Sequence, residues 1–289
     1  MKQKLILVLF LIAIFSAMFF VSPLSPYHPQ GALALEPQAQ GLKRVADFYF
    51  DVATGDVRGH SAVNKFGRND EIDTADGIED IWDGGGTWPE PTASQVFTFT
   101  STSALDASDG IGARTMEIFG LDSAGALQNE TISLTGTVAI TAINSYSMID
   151  RMIVRTAGIS ATNIGTITAN ANTDSTVTAQ INPINNQTLM TIYKIPAGFD
   201  GCMVNYFVDV NKSGGATTSV DAYLYAKPTG EVWQIKQLNG AISGGTSRYN
   251  HFFGVPNCFE PLTLIKLSAN VSANDTGVSG GYDLVLHPN

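Results

Sequence analysis

The chain has 289 residues, and only 15% of them are charged, against roughly 25% in ordinary soluble domains. Its formal net charge is −10; Lys2 and Lys4 are the only charges in the first 34 residues, which leaves 14 basic and 26 acidic groups beyond them. A body this acidic, with no basic run beyond the pair Lys43-Arg44, excludes nucleic acid as a partner.

Residues 1–41 read as a hydrophobic leader followed by a Pro-rich spacer. Lys2 and Lys4 precede an uncharged run over residues 5–21 that is apolar on every side. This predicts a hydrophobic helix without the polar face of a water-soluble one. Two fates fit it. One is a signal peptide ending at the small residues Ala32-Leu33-Ala34. The other is an uncleaved anchor whose residues 5–21 are just long enough to cross a lipid membrane. Pro23, Pro26, Pro29 and Pro37 make the stretch that follows an extended spacer.

Residues 42–94 form a lead-in segment with an acidic loop. A short strand is expected around Phe48, Tyr49 and Phe50. Asp70, Glu71, Asp73, Asp76, Glu79, Asp80 and Asp83 follow, with Trp82 and Trp88 at the far end. An EF-hand loop needs an oxygen ligand at its third position. Counted from Asp70 that position is Ile72, and counted from Asp73 it is Ala75, so the motif fails. The expectation is a solvated acidic loop anchored by the two tryptophans. Gly84, Gly85 and Gly86 allow sharp turns there.

The same segment carries a family resemblance. Val63-Asn64-Lys65-Phe66-Gly67-Arg68-Asn69, then Asp73, then Glu79-Asp80-Ile81-Trp82-Asp83-Gly84-Gly85 resembles the N-terminal signature of virion structural proteins of tailed bacteriophages, marine ones especially. The likeness continues at Gly112-Ala113-Arg114-Thr115, Gly120-Leu121-Asp122, Glu130 to Gly136, Asn144-Ser145-Tyr146 and Arg151-Met152. It fades through Gln187 to Met190 and Ile195 to Gly198. It covers residues 60–200 well and the remainder poorly. The resemblance implies a particle component: a decoration, spike or fibre-associated protein that contacts copies of itself and other capsid proteins. It implies a homo-oligomer, with a trimer the expected form, and it brings no catalytic residues. The hydrophobic leader departs from that family and points to a virion with a lipid layer.

Residues 95–175 read as a first β-sandwich. Ile132, Leu134, Val138 and Ile140 share one parity, while Thr131, Ser133, Thr135 and Thr141 share the other. Period two with β-branched residues marks half-buried strands. Strands are expected at 95–101, 114–121, 127–134, 137–143, 147–154 and 165–170, with breaks at Gly136 and Asn144-Ser145. Regular strands with short connections predict an immunoglobulin-like sandwich. Arg114, Arg151 and Arg155 are expected to pair with Glu117 or Asp150 and not to bind an anion.

Residues 176–289 read as a second, jelly-roll-like sandwich. Val204, Tyr206, Val208 and Val210 share a parity, as do Val220, Ala222, Leu224 and Ala226. Trp233 with Ile235, and Tyr282 with Leu284 and Leu286, continue the pattern. The fold class is therefore all-β: two tandem antiparallel sandwiches after an N-terminal hydrophobic helix. Cys202 and Cys258 make either one disulfide or two buried thiols, and cysteines within strands often serve as small hydrophobes.

The sequence offers no catalytic, metal or cofactor constellation. Gly277-Val278-Ser279-Gly280-Gly281 matches the G-x-S-x-G pattern, but that motif belongs between a strand and a helix with partners further along, and only eight residues follow. His28, His60, His251 and His287 make no ligand pair at short spacing. The expected role is a non-enzymatic virion structural protein. The alternative is an exported or membrane-anchored cell-surface module that binds carbohydrate or serves adhesion, with Trp88, Trp233 and Tyr249 as the glycan-contacting aromatics.

Overall fold

The computed structural model describes residues 47–212, 214–243 and 247–289. The hydrophobic leader and the spacer lie outside the described residues. No helix among the described residues is long and apolar enough to cross a membrane. The regular secondary structure of the described chain is nearly all strand, and its sheets are antiparallel.

Among the described residues the one short α-helix is α1 (Phe48–Ala53), where the sequence predicts a strand. Asp47 explains the difference. Its Oδ1 accepts a hydrogen bond from Phe50 N–H at 3.3 Å, the N-cap arrangement. Gly55, at φ 82°, follows the last turn. Local capping overrides the aromatic preference for strands, which depends on a neighbouring strand to pack against.

Sixteen strands follow among the described residues. They are β1 (Ser61–Ile72), β2 (Glu79–Asp80), β3 (Gln95–Ser101), β4 (Ala113–Leu121), β5 (Leu127–Ser133), β6 (Ile140–Tyr146), β7 (Met148–Ala157) and β8 (Ile167–Ala171). Next come β9 (Val177–Ile181), β10 (Tyr193–Lys194), β11 (Phe199–Lys212), β12 (Thr218–Lys227), β13 (Gln234–Ser243), β14 (Ser247–Phe259), β15 (Leu264–Val271) and β16 (Thr276–Pro288).

Eight of these strands make a jelly roll. Counting β1, then β10 to β16, as strands one to eight, folding the chain in half pairs one with eight, two with seven, three with six and four with five. All four pairs are present: β1·β16, β10·β15, β11·β14 and β12·β13. Wrapping that ribbon adds β16·β11 and β15·β12. The result is two facing sheets, β1-β16-β11-β14 and β10-β15-β12-β13, with β2 added to β15. Between them lies a core of Tyr206, Val208, Leu224, Leu267, Tyr282 and Leu284 among others. Each such fully buried aliphatic side chain contributes about 1.5–3 kcal/mol.

The other sandwich consists of β6-β3-β8-β9 facing β5-β4-β7. Its core includes Phe97, Phe99, Met116, Ile118, Tyr146 and Met152. It has seven strands, the number an immunoglobulin-like sandwich uses, with the consecutive strands β3 and β4 in opposite sheets. The two sandwiches are nested along the chain. The jelly roll begins at Ser61, inside the segment the sequence assigns to a lead-in, and β3 to β9 interrupt it between its first and second strands. The boundary expected at 175/176 also moves, because Val177–Ile181 pairs with β8. Sequence alternation locates strands, but long-range pairing decides which sheet owns them.

Two smaller corrections have local causes. Asn144 and Ser145, expected as a break, lie inside β6. The Glu130 carboxylate accepts hydrogen bonds from Ile143 N–H at 2.9 Å and Asn144 N–H at 3.1 Å, which holds them extended. Val138, expected to face the core, is exposed because it follows the left-handed turn at Gly136 (φ 69°).

Candidate functional site

The nested sandwiches are joined at a seam built from the acidic segment. The outgoing chain at Ile81–Asp83 runs beside the returning chain at Leu189–Thr191. Asp83 N–H donates to Leu189 O at 2.9 Å, and Thr191 N–H to Ile81 O at 3.1 Å. β1 passes against both. A Cβ on Gly67 would lie 2.6 Å from Ile81 O and 2.7 Å from both Met190 Cα and Thr191 N, so only glycine fits. This glycine is part of the family-like string.

The acidic segment is solvated only in part: Asp70, Glu71 and Asp76 are exposed, as the sequence predicts, whereas Glu79 and Asp80 are buried, contrary to that expectation. Asp80 is buried, with Lys266 Nζ at 2.7 Å, Ser268 Oγ donating at 2.6 Å and Trp88 N–H at 2.8 Å. Glu79 is buried and accepts from Asn69 Nδ2 at 2.8 Å and Gly86 N–H at 2.7 Å. Asp83 accepts from Asn185 Nδ2 at 3.1 Å, yet burial pushes its carboxyl up to about 6. Carboxylates buried with this many donors serve as joints. Glu71, Asp73 and Asp275 do gather, one oxygen each within 4.8 Å, on the outer side of the loop. The donor Asp275 N–H already occupies Asp73 Oδ1 at 2.9 Å.

At the centre of the seam sit Lys65 on β1 and Asp150 on β7. Lys65 shares the inward parity of its strand with Gly67 and Asn69. Its Nζ donates to the main-chain carbonyl of Asp150 at 2.5 Å and lies 6.0 Å from the Tyr193 ring centroid. Burial drives the Lys65 ammonium down to about 7, helped by the nearby Arg151. Burial drives the Asp150 carboxyl up to about 7 against the pull of Lys65, and its Oδ1 has no hydrogen-bond partner. Arg151 donates to the Asn64 carbonyl and covers the Phe66 ring at 5.8 Å. Tyr282 O–H donates to Thr191 O at 2.7 Å, and burial raises its pKa. A groove of about 240 Å³ opens here, lined by Val63, Lys65, Phe119, Asp150, Arg151 and Tyr193 among others. The amine is engaged by a peptide carbonyl, so the arrangement couples proton binding to the junction. The sequence names Lys65 only within the family-like string and Asp150 only as a partner for an arginine, and nothing in it brings the two together. The inward positions of β1 are polar or lack a side chain, so the strand has no apolar rhythm to find.

The other singled-out residues are dispersed. Trp88 is buried in the core of the inserted sandwich, with its indole N–H donating to Thr178 O at 2.8 Å. Trp233 is half-buried, with Lys266 Nζ 4.6 Å from its ring centroid. Tyr249 is half-buried against Tyr206, at 5.9 Å between ring centroids, in the opposite sheet of the jelly roll. The three do not form one aromatic face. Cys202 and Cys258 are bonded; they are direct register partners across β11 and β14, 56 residues apart in sequence. Ser279 of the G-x-S-x-G string lies inside β16 with its Oγ 3.1 Å from Asn211 Oδ1. Arg155 pairs with Glu117 at 2.6 Å, while Arg114 donates to Gly110 O at 2.9 Å.

The jelly roll leaves one side open. Among the described residues β13 pairs only with β12, and β14 only with β11. Of their described side chains only Phe259 is buried. Ile235, Leu238, Ile242, Phe252 and Val255 are all exposed, Ile242 to 74% and Val255 to 84%. Residues 232–259 contain no Asp or Glu, although the chain holds 26. Edge strands normally carry charge or a cover. Glu130 supplies one at the opposite sandwich, where it caps β6. The acid-free run was legible in the sequence but means little until the strands are seen to be edges.

No family model matches the chain, and no curated protein matches it. Among solved structures it is similar to that of the infectious bursal disease virus Gt strain, at 12% identity over 84% of this chain and 78% of that one, with a TM-score of 0.23. It is similar to the VP2 subviral particle of infectious bursal disease virus, at 11% identity, 84% and 78% coverage and a TM-score of 0.20. It is also similar to the N-terminal CBM22-1-CBM22-2 tandem domain of Xyn10C from Paenibacillus barcinonensis, at 8% identity, 81% and 94% coverage and a TM-score of 0.22. At these TM-scores none of the three likenesses carries a role over to this chain.

Proposed function

We propose that the chain is a non-enzymatic structural subunit of a virus particle: a capsid-surface decoration or vertex-spike component of the tailed-phage kind, assembling by packing of β-sandwiches. The observation that carries this reading is a jelly roll locked to a second sandwich by buried joints, with one acid-free side bearing exposed apolar residues left open. Such a body is stiff, poor in ions and ready to pack laterally. The family-like strings support it, because Gly67, Glu79, Asp80 and Asp83 are the residues that make the seam. The leader, residues 5–21, ties the subunit to a membrane of the virion or of the host. The carbohydrate-binding alternative loses support, since Trp88 is buried and Tyr249 packs inward.

The test is protein mass spectrometry of gradient-purified particles from the native source, with intact-mass measurement of this chain. The expected result is stoichiometric recovery in the particle fraction. Recovery only in host envelope fractions, together with binding on a glycan array, would overturn the proposal.

A further inference from the structure

We propose that β13 is a self-association strand, which pairs antiparallel with β13 of a second copy about a two-fold axis at Gly240. The two β10-β15-β12-β13 sheets then join edge to edge. The inference rests on the structural-subunit reading and names its contact.

Three observations support it. First, β13 offers an open ladder: its register runs from Thr218↔Ser243 to Ala226↔Gln234 on the β12 side, and among the described residues nothing pairs with its other side. An unpaired edge of ten residues is a template for another strand. Second, its outward face is symmetric about Gly240. Leu238, Gly240 and Ile242 are exposed, while Asn239 and Ala241 turn inward, with Asn239 Nδ2 donating to the Tyr206 hydroxyl oxygen. Antiparallel pairing with Gly240 opposite Gly240 sets Leu238 against Ile242 of the second copy, twice. Those are apolar cross-strand pairs, and a two-fold interface requires this kind of self-complementarity.

Third, the charges permit it. Residues 237–243 carry none, in a chain of net charge −10 that repels its own copies elsewhere. The nearest acid on that face is Asp221, the register partner of Gly240 on β12. Across the axis the two Asp221 side chains would stand three strand spacings apart, about 14 Å, beyond the Debye length at physiological salt. Other occupants fit less well. A lipid surface asks for a cluster of cations, and the single cation of this strand, Lys236, is held by Gln234 Oε1 at 2.7 Å. A sugar asks for aromatic faces, and this stripe is aliphatic.

The experiment uses the full chain with Gly240→Cys. A Cβ there meets only Asp221 Oδ1 at 3.6 Å, ordinary contact, and the native cysteines are already bonded, so the new thiol is the only free one. Mild oxidation is expected to give a covalent dimer on a non-reducing gel, while a Val255→Cys control stays monomeric. Leu238→Lys/Ile242→Lys is expected to lose the dimer in light scattering yet keep the wild-type far-UV spectrum and melting temperature, since both side chains are exposed. A monomeric wild-type chain, cross-linking at Val255 and not Gly240, or a dimer that survives the double lysine change would each overturn the inference. Recovery in particles without Gly240 cross-linking sinks this contact alone. Cross-linking without recovery in particles sinks the virion reading alone.

Discussion

Lys65 Nζ donates to the carbonyl of Asp150 at 2.5 Å, and the two residues belong to different sandwiches. Both are buried, and burial moves both side chains to about 7 from opposite directions. Asp150 ordinarily titrates near 3.8, so between 3.8 and 7 the folded chain holds a proton that the unfolded chain has released, and stability falls as pH rises. Lys65 ordinarily titrates near 10.5, so between 7 and 10.5 the unfolded chain holds a proton that the folded chain lacks, and stability rises with pH. The pair thus contributes least near pH 7. Thermal unfolding across this range, compared variant by variant, is the check. Lys65→Met is expected to remove the rise above pH 7, and Asp150→Asn the fall below it. Parallel wild-type and variant profiles would refute the assignment.

Gly67→Ala is expected to destabilise the chain by about 1–3 kcal/mol, towards the upper end. The added methyl group meets Ile81 O, Met190 Cα and Thr191 N, all main-chain atoms that cannot rotate away. Urea unfolding measures this. An unchanged midpoint would mean that β1 and the two crossing segments are not held together as described.

The same crossing shows what was and was not legible beforehand. Val220, Ala222, Leu224 and Ala226 of β12 are all buried, as their alternation predicts. On β11 the expected inward set begins at Val204, whereas the structure buries Met203 and then Tyr206, because a register shift between Met203 and Asn205 reverses the parity. β1 was invisible because Lys65, Gly67 and Asn69 face inward. Its partner β16 lies 219 residues further on at Asn64 and Asp283, whose side chains meet at 2.7 Å. A seam made of polar groups, glycine and distant pairing leaves no hydrophobic rhythm, so that part of the site had only the family-like string to mark it.

The Cys202–Cys258 bond closes a loop across 56 residues and ties the open strand β14 to β11. By the loop-entropy argument it contributes about 4 kcal/mol. The Cys202→Ala/Cys258→Ala variant is expected to unfold at lower denaturant concentration by roughly that amount. Hydrogen exchange is expected to rise first in residues 247–259, since β14 has a single strand neighbour among the described residues. A uniform rise across both sandwiches would argue that the bond stabilises no particular edge.

Glu130 and β13 show two treatments of an edge in one chain. The Glu130 carboxylate accepts from Ile143 N–H, Asn144 N–H and Tyr146 O–H, the last at 3.0 Å, and so occupies the donors that β6 would offer to another strand. Tyr146 is held protonated by burial and by that negative neighbour. Glu130→Val removes both the charge and the acceptor and leaves two main-chain N–H groups beside the exposed Ile143. Association dependent on concentration is therefore expected in light scattering, where the wild type forms only the defined β13 contact. Adding Leu238→Lys/Ile242→Lys to Glu130→Val should leave this new association in place, because it runs through β6. If the double lysine change abolishes it, β6 was never the competing edge.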